Sequence, residues 1–259
     1  MNGAWDVVHV NELSKDGLAA VLANEIAGLR IPDFVAPADC ARGAQAINEH
    51  GFDYYEKLEP PLGRIGITQY ENRLDRARYL QQAPAAHATR QGIFAGTGDP
   101  VALVADALCA AWPHGAAVAT EPGGGRYFAG IVRITVGGIR IHCDWAPQDA
   151  PGWAIETATG QLAWNIYYDL TDSGGQTTVY RQPWTPALAE FSDPSAFGYY
   201  LPSAVQECPR QVIAPRRGEF VIFNSRNLHA VAPALGAGAR VSASSFVGHL
   251  PDGSLGLWS

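Results

Sequence analysis

"GIRIHCDW", residues 138–145, places His142 and Asp144 two positions apart at the end of an apolar, β-branched run. In an extended strand alternate side chains share a face, so His142 and Asp144 point one way and Cys143 points the other, as a buried thiol. His-x-Asp alone is a weak signal, and its meaning depends on what surrounds it. From Gly123-Gly124-Gly125 onward the segments "RYFAGIVRITV", "LAWNIYYDL", "QTTVYRQPW", "GEFVIFNS" and "RVSASSFVGHL" are short and rich in β-branched and aromatic residues. Gly, Pro, Asn and Asp separate them. That pattern predicts an antiparallel β-sandwich or barrel, with "TDSGGQ" (171–176) as a hairpin turn and the His-Cys-Asp segment at a barrel mouth.

The front of the chain reads differently. "SKDGLAAVLANEIAGLR" has Ser14 as an N-cap and apolar residues at helical spacing, namely Leu18, Val21, Leu22, Ile26 and Leu29. "APADCARGAQAINEHG" closes on Gly51 as a C-cap, and "DRARYLQQAPAAHATRQ" and "DPVALVADALCAAWPHG" are two further helices, the second opening on Asp99-Pro100. Helices followed by about eight strands predict a mainly β protein with α elements, in which N-terminal helices pack outside a jelly roll. Residues 1–120 form the mainly helical flank and 121–250 the jelly-roll core of a single domain spanning 1–259. Two long connections, 146–161 and 185–217, carry aromatics (Trp153; Phe191, Phe197, Tyr199 and Tyr200) and read either as lids or as loops anchored by apolar side chains.

Composition removes several classes of function. Only 17% of the 259 residues are charged, the formal net charge is -7, and the nearest thing to a basic cluster is Arg210, Arg216 and Arg217, which argues against nucleic acid as a partner. No apolar run has the length of a membrane span, and "MNGAWDVVHVNELSKDG" lacks the basic start and apolar stretch of a signal peptide. Four dispersed cysteines, Cys40, Cys109, Cys143 and Cys208, form no CxxC pair. They read as reduced thiols in a cytoplasmic protein.

A third ligand comes from "GEFVIFNSRNLHAVAPALGAGARVSASSF", in which His229 lies near a turn between strands and Arg240-x-Ser242 follows eleven residues later. That spacing predicts Arg240 on the neighbouring strand, aimed into the barrel. Two histidines and one carboxylate on one face of an octahedron leave three positions open and suit non-haem Fe(II). Two of these can take a chelating 2-oxo acid and the third O2, while a second carboxylate on that acid calls for a cation such as Arg240. The five other histidines, His9, His50, His87, His114 and His249, read as solvated or core residues.

The assembled pattern, His142-x-Asp144, His229 and Arg240-x-Ser242, resembles the Fe(II)/2-oxoglutarate-dependent oxygenases, whose core is a double-stranded β-helix of cupin-like form. "SGGQTTVYRQPWTP" and "GIVRITVGGIRIHCD" are similar to stretches in the bacterial branch acting on amino acids, their derivatives and natural-product intermediates. The resemblance covers roughly residues 120–250. It implies His142, Asp144 and His229 as iron ligands, and Arg240, with Ser242, as the partner of the distal 2-oxoglutarate carboxylate. Arg133, on the preceding strand, is left between the co-substrate, an acidic substrate and a structural ion pair. Of Trp164 and Asn165, one lines the barrel. The implied reaction consumes O2 and 2-oxoglutarate, releases succinate and CO2, and hydroxylates an unactivated C–H of a small molecule. Halogenases of the branch carry Gly or Ala where Asp144 stands, which argues against halogenation here. Desaturation or cyclisation with the same cofactors, and a non-catalytic jelly-roll binding module, stay open.

Overall fold

The computed structural model describes residues 5–55 and 60–259; residues 1–4 of the amino-terminal stretch read above lie outside the described residues. The chain runs β1 (Val7–His9), α1 (Lys15–Leu22), β2 (Gly28–Ile31), α2 (Pro37–His50), β3 (Asp53–Tyr54), β4 (Leu62–Ile65), α3 (Arg76–Ile93), α4 (Pro100–Ala111) and β5 (Ala116–Val118). It continues through β6 (Ile131–Thr135), β7 (Ile139–His142), α5 (Ala146–Asp149), β8 (Gly160–Asp169), β9 (Ser173–Gly174), β10 (Thr177–Pro183) and β11 (Arg210–Ile213). β12 (Phe220–Asn224), β13 (Asn227–Val231), β14 (Ala234–Leu235), β15 (Arg240–His249) and β16 (Leu255–Trp258) complete it.

The helix starts follow their caps. Ser14 accepts from the Gly17 amide, Asp75 from Arg78 and Asp99 from Val101, each satisfying an orphan donor of a first turn. One expectation is corrected. α1 ends at Leu22 because Asn24 takes a left-handed φ of 58° and turns the chain into β2. Leu29, expected on the same helix, therefore sits in a strand. β2 lies so close to β12 that a Cβ on Gly28 would meet the Ile222 carbonyl at 2.6 Å, a separation only glycine tolerates.

Two sheets face one another. The larger runs β1-β2-β12-β8-β15-β6-β4-β3, with β16 on β15 and β5 on β16; the smaller is β11-β10-β13-β7. Alternation along β8 and β12 divides the interior. Leu162, Trp164, Ile166, Phe220 and Ile222 face outward and pack with Leu18 and Val21 of α1, Cys40 and Ile47 of α2, Tyr79 of α3 and Val104 and Leu108 of α4. Ala163, Tyr167, Val221 and Phe223 face inward and meet Val179 and Ile213 of the smaller sheet. Each fully buried Leu, Ile or Phe on these faces contributes roughly 1.5–3 kcal/mol, so the helices cover the apolar back of the larger sheet and leave its front to the jelly-roll interior.

The sheet reaches past the limits read from sequence. β2 and β4 from the front and β16 after residue 250 all belong to it, because its edges and outer face bury apolar residues that lie outside the central run. "TDSGGQ" is not a hairpin. β8 belongs to the larger sheet and β10 to the smaller, so the segment crosses between sheets, with β9 pairing β14. β13 and β15 are likewise in opposite sheets, which places Arg240 across the barrel from His229 rather than on the neighbouring strand.

Candidate active site

β7 and β13 are antiparallel neighbours in which His142 stands opposite His229, with ring centroids 4.1 Å apart. Gly138 opens β7 at φ +79°, where a Cβ would meet the Val231 carbonyl at 2.6 Å. The glycine thus permits the close approach that sets this register. In each imidazole Nδ1 lies 2.8 Å from the carbonyl two residues earlier on its own strand, Arg140 for His142 and Asn227 for His229. An Nδ1–H donating there leaves Nε2 as a lone pair. Both Nε2 atoms are aimed at Asp144 Oδ2, at 3.8 Å from His142 and 3.3 Å from His229. Two lone pairs converging on a carboxylate repel unless a cation sits among them, and these three ligand atoms lie within 4.8 Å of one another. The donor set therefore fits a divalent metal with N and O preferences such as iron. Among the described residues no other group of three His, Cys, Asp or Glu side chains has this arrangement.

Burial and the His229 neighbour push the His142 imidazole down to about 4, so it is a neutral ligand at physiological pH. Burial works against the Asp144 charge, but the closeness of the His229 and His142 side chains and the positive charge of Arg133 outweigh it and hold this carboxyl below its ordinary value. Asp144 itself lies just past the end of β7. Its backbone is gripped from both directions: its amide donates to the Ser225 carbonyl (2.9 Å), and its carbonyl accepts from Gln161 Nε2 (3.0 Å) and Ser225 Oγ (3.1 Å). Gln161 Oε1 in turn accepts from the Ala146 amide at 2.8 Å. Gln161 and Ser225, both buried, had no signal in the local sequence pattern, because their importance arises only when the β12–β13 turn and the start of β8 meet the ligand loop. Cys143 is outside the ligand group. Its Sγ turns to Tyr200 Oη (3.9 Å) and Gln148 Oε1 (4.0 Å).

The triad opens into a cavity of about 370 Å³ lined, among others, by Arg133, Asn165, Thr177, Arg240, Ser242 and Ser244. Arg240 is 3% exposed. Its Nη1 donates to Ser242 Oγ at 3.2 Å and its guanidinium lies 5.0 Å over the Tyr167 ring. Among the described residues its Nε has no partner, and neither has Thr177 Oγ1. A buried cation lacking a carboxylate and a buried hydroxyl lacking a partner are costly unless a ligand completes them, and an organic carboxylate supplies what both lack. Arg133 reaches the same cavity from β6, held by Ser244 Oγ (2.8 Å) and Tyr55 Oη (3.3 Å). Of the pair on β8, Asn165 shares the inward face with Ala163 and Tyr167, while Trp164 packs toward the helices. Ser244 was within reach of sequence reasoning, since it shares a strand face with Arg240 and Ser242.

The two long connections behave differently. Trp153 is buried against Tyr79 and Tyr127, so 146–161 is an anchored loop. The segment after Trp184 closes over the cavity. The Tyr200 amide donates to the Ile141 carbonyl (2.8 Å), Asp193 pairs with Arg140 (2.9 Å), and the Arg73 guanidinium lies over the rings of both Tyr70 and Phe197 at 5.0 and 4.9 Å. Phe197, Tyr199 and Tyr200 line the opening.

The family model described as carrier-protein-independent halogenase WelO5 matches residues 5–254. The leucinostatins biosynthesis cluster protein S of Purpureocillium lilacinum is 34% identical over 206 residues, covering 77% of this chain and 84% of that protein. The L-gamma-glutamyl-L-propargylglycine hydroxylase of Streptantibioticus cattleyicolor is 33% identical over 211 residues, covering 79% and 76%. Among solved structures, an N-substituted L-amino acid dioxygenase from Burkholderia ambifaria superposes with a TM-score of 0.66 at 18% identity, covering 95% of this chain and 91% of that one, a likeness of fold. A family match running over nearly the whole chain, with two relatives at about a third identity, makes this protein a member of the WelO5 family and a non-haem Fe(II)/2-oxoglutarate-dependent oxygenase acting on small molecules.

Proposed function

We propose that the protein hydroxylates an unactivated C–H of an amino acid, an amino-acid derivative or a related natural-product intermediate, consuming O2 and 2-oxoglutarate and releasing succinate and CO2. The observation that carries the choice of hydroxylation is Asp144. A carboxylate aimed at the same point as the two Nε2 atoms occupies the place that a halide needs in the family's halogenases. The hydroxylase relative at 33% identity supports the same outcome.

In this reading His142, Asp144 and His229 hold Fe(II), Asp144 cancelling one of its charges. Arg240, with Ser242 and Thr177, takes the far carboxylate of 2-oxoglutarate. When bound, iron and 2-oxoglutarate would supply the oxidising power, from O2, to break a strong C–H bond. The protein contributes aim and dryness. The backbone grip of Gln161 and Ser225 fixes Asp144, the Nδ1 contacts fix both imidazoles, and the segment carrying Phe197, Tyr199 and Tyr200 keeps bulk water from the substrate. Four free thiols support a cytoplasmic setting, and no helix among the described residues is long and apolar enough to cross a membrane. We read the helices and the jelly roll as one domain, since they share a core.

The test is a succinate-release screen across amino acids and their N-acyl derivatives with Fe(II), 2-oxoglutarate and chloride present, followed by mass spectrometry of each hit. A product heavier by one oxygen is expected. A chlorinated product, or one lacking two hydrogens, overturns hydroxylation.

A further inference from the structure

Arg240 is one of two guanidinium groups in the cavity, and the other has no role in holding iron. Arg133 is half-buried on β6, in register with Ser242 of β15. Its Nη1 and Nε are tied to Ser244 Oγ and Tyr55 Oη, neutral oxygens that orient the fork without compensating its charge. Among the described residues no carboxylate lies within 4.0 Å of it. The acids nearby are committed elsewhere: Glu71 to Arg64, Asp193 to Arg140, Asp149 to the Trp145 amide and Asp144 to the histidines.

The charges in the loaded site leave this group over. Iron(II) and the 2-oxoglutarate dianion cancel, and Asp144 and Arg240 oppose one another. Among the described residues Arg133 remains as one positive charge in a partly desolvated wall, beside the Asn165 side chain, whose strand position is in register with Ser244. A planar, pre-oriented fork suits a carboxylate. We infer that Arg133, oriented by Tyr55 and Ser244, binds a carboxylate of the organic substrate, so that the enzyme selects acids over their neutral amides and esters. The inference rests on the reading of the site as an iron and 2-oxoglutarate centre.

The experiment uses the full-length protein, loaded anaerobically with Fe(II), and follows the visible charge-transfer band that forms with 2-oxoglutarate. Three proteins are compared: unaltered, Arg133→Gln and Arg240→Met. Arg133→Gln is expected to bind 2-oxoglutarate within twofold of the unaltered protein, while Arg240→Met binds it at least tenfold more weakly. The complex is then titrated with the N-acetyl-L-amino acids, each beside its primary amide, with binding read from the perturbed band and by calorimetry. At least one acid is expected to bind tenfold or more tightly than its amide, and Arg133→Gln is expected to erase that preference without weakening the amide. A tenfold loss of 2-oxoglutarate in Arg133→Gln assigns the group to the co-substrate and overturns the inference. So does a panel in which no acid outbinds its amide, or a preference that survives the substitution. Either result leaves the band of the unaltered protein intact. A missing band overturns the iron and 2-oxoglutarate reading, and this inference falls with it.

Discussion

Replacing Arg240 by Met removes a guanidinium that is 3% exposed and keeps most of the volume of its stem. Two effects of opposite sign follow. A hydrogen bond to a charged partner is worth about 1.5–3 kcal/mol, so loss of the fork weakens 2-oxoglutarate about ten- to a hundredfold. The ligand-free protein, by contrast, loses a buried cation whose Nε has no partner among the described residues and which Ser242 Oγ and the Tyr167 face attend. An uncompensated buried charge costs more than a cation–π contact of about 0.5–2 kcal/mol returns, so this form is not destabilised. Thermal unfolding separates the two. At 2-oxoglutarate one hundred times the dissociation constant of the unaltered protein, linkage gives about 2.7 kcal/mol of stabilisation; a thirtyfold weaker variant gains about 0.9 kcal/mol. Arg240→Lys is expected to fall between, since an ammonium cannot reproduce the fork. The reasoning fails if Arg240→Met binds 2-oxoglutarate within twofold, or if the ligand-free variant melts well below the unaltered protein.

Three further outcomes are expected. Asp144→Ala and His229→Ala lose iron binding, measured by metal content after desalting, while Cys143→Ser keeps at least roughly a tenth of the activity, because Cys143 turns to Tyr200 and Gln148; loss of iron in folded Cys143→Ser would contradict this. Gln161→Leu frees the Asp144 carbonyl and the Ala146 amide together and is expected to weaken Co(II) binding tenfold or more and shift its visible spectrum, whereas an unshifted spectrum at normal affinity would reduce Gln161 to a packing residue. Asp149, raised to about 7 by burial against the Trp145 amide's opposing pull, with Asp144 adding to the rise, is an acid whose folded value exceeds its ordinary value near 3.8. Unfolding thus releases its proton more readily, and its penalty grows from about pH 4 to pH 7 and is constant above. Asp149→Asn in EDTA should therefore gain melting temperature relative to the unaltered protein across that window, and a pH-independent difference would refute the assignment.

The parts of the site that sequence disclosed are those set by local rules. His142 and Asp144 are two apart at a strand end, His229 and Arg240 flank a turn-rich segment, and strand period alone predicts a shared direction. Helices α2, α3 and α4 were equally legible, because capping and apolar spacing act within a few residues. What sequence hid depends on contacts between distant segments. Leu29 fits a helical stripe, yet pairing of β2 with β12 takes it into the sheet. Arg240 lies across the barrel from His229 because the chain changes sheets between β13 and β15, and no local pattern records such a crossing. Gln161, Ser225, Thr177 and Tyr55 are ordinary residues in ordinary strands and loops until the two sheets are stacked.

The contacts that aim the metal-binding nitrogens have a wider consequence. Each imidazole is steered by a carbonyl only two residues back along its own chain, so its bearing is written into a three-residue stretch of backbone. Phe223 and Tyr199 pack edge-on against the two rings, but the hydrogen bond that sets each tautomer is local. Drift in the surrounding side chains can enlarge, narrow or recharge the chamber while the chemistry at its floor keeps its geometry. A protein built this way separates what it does from what it does it to, and new substrates can be reached by altering the chamber alone.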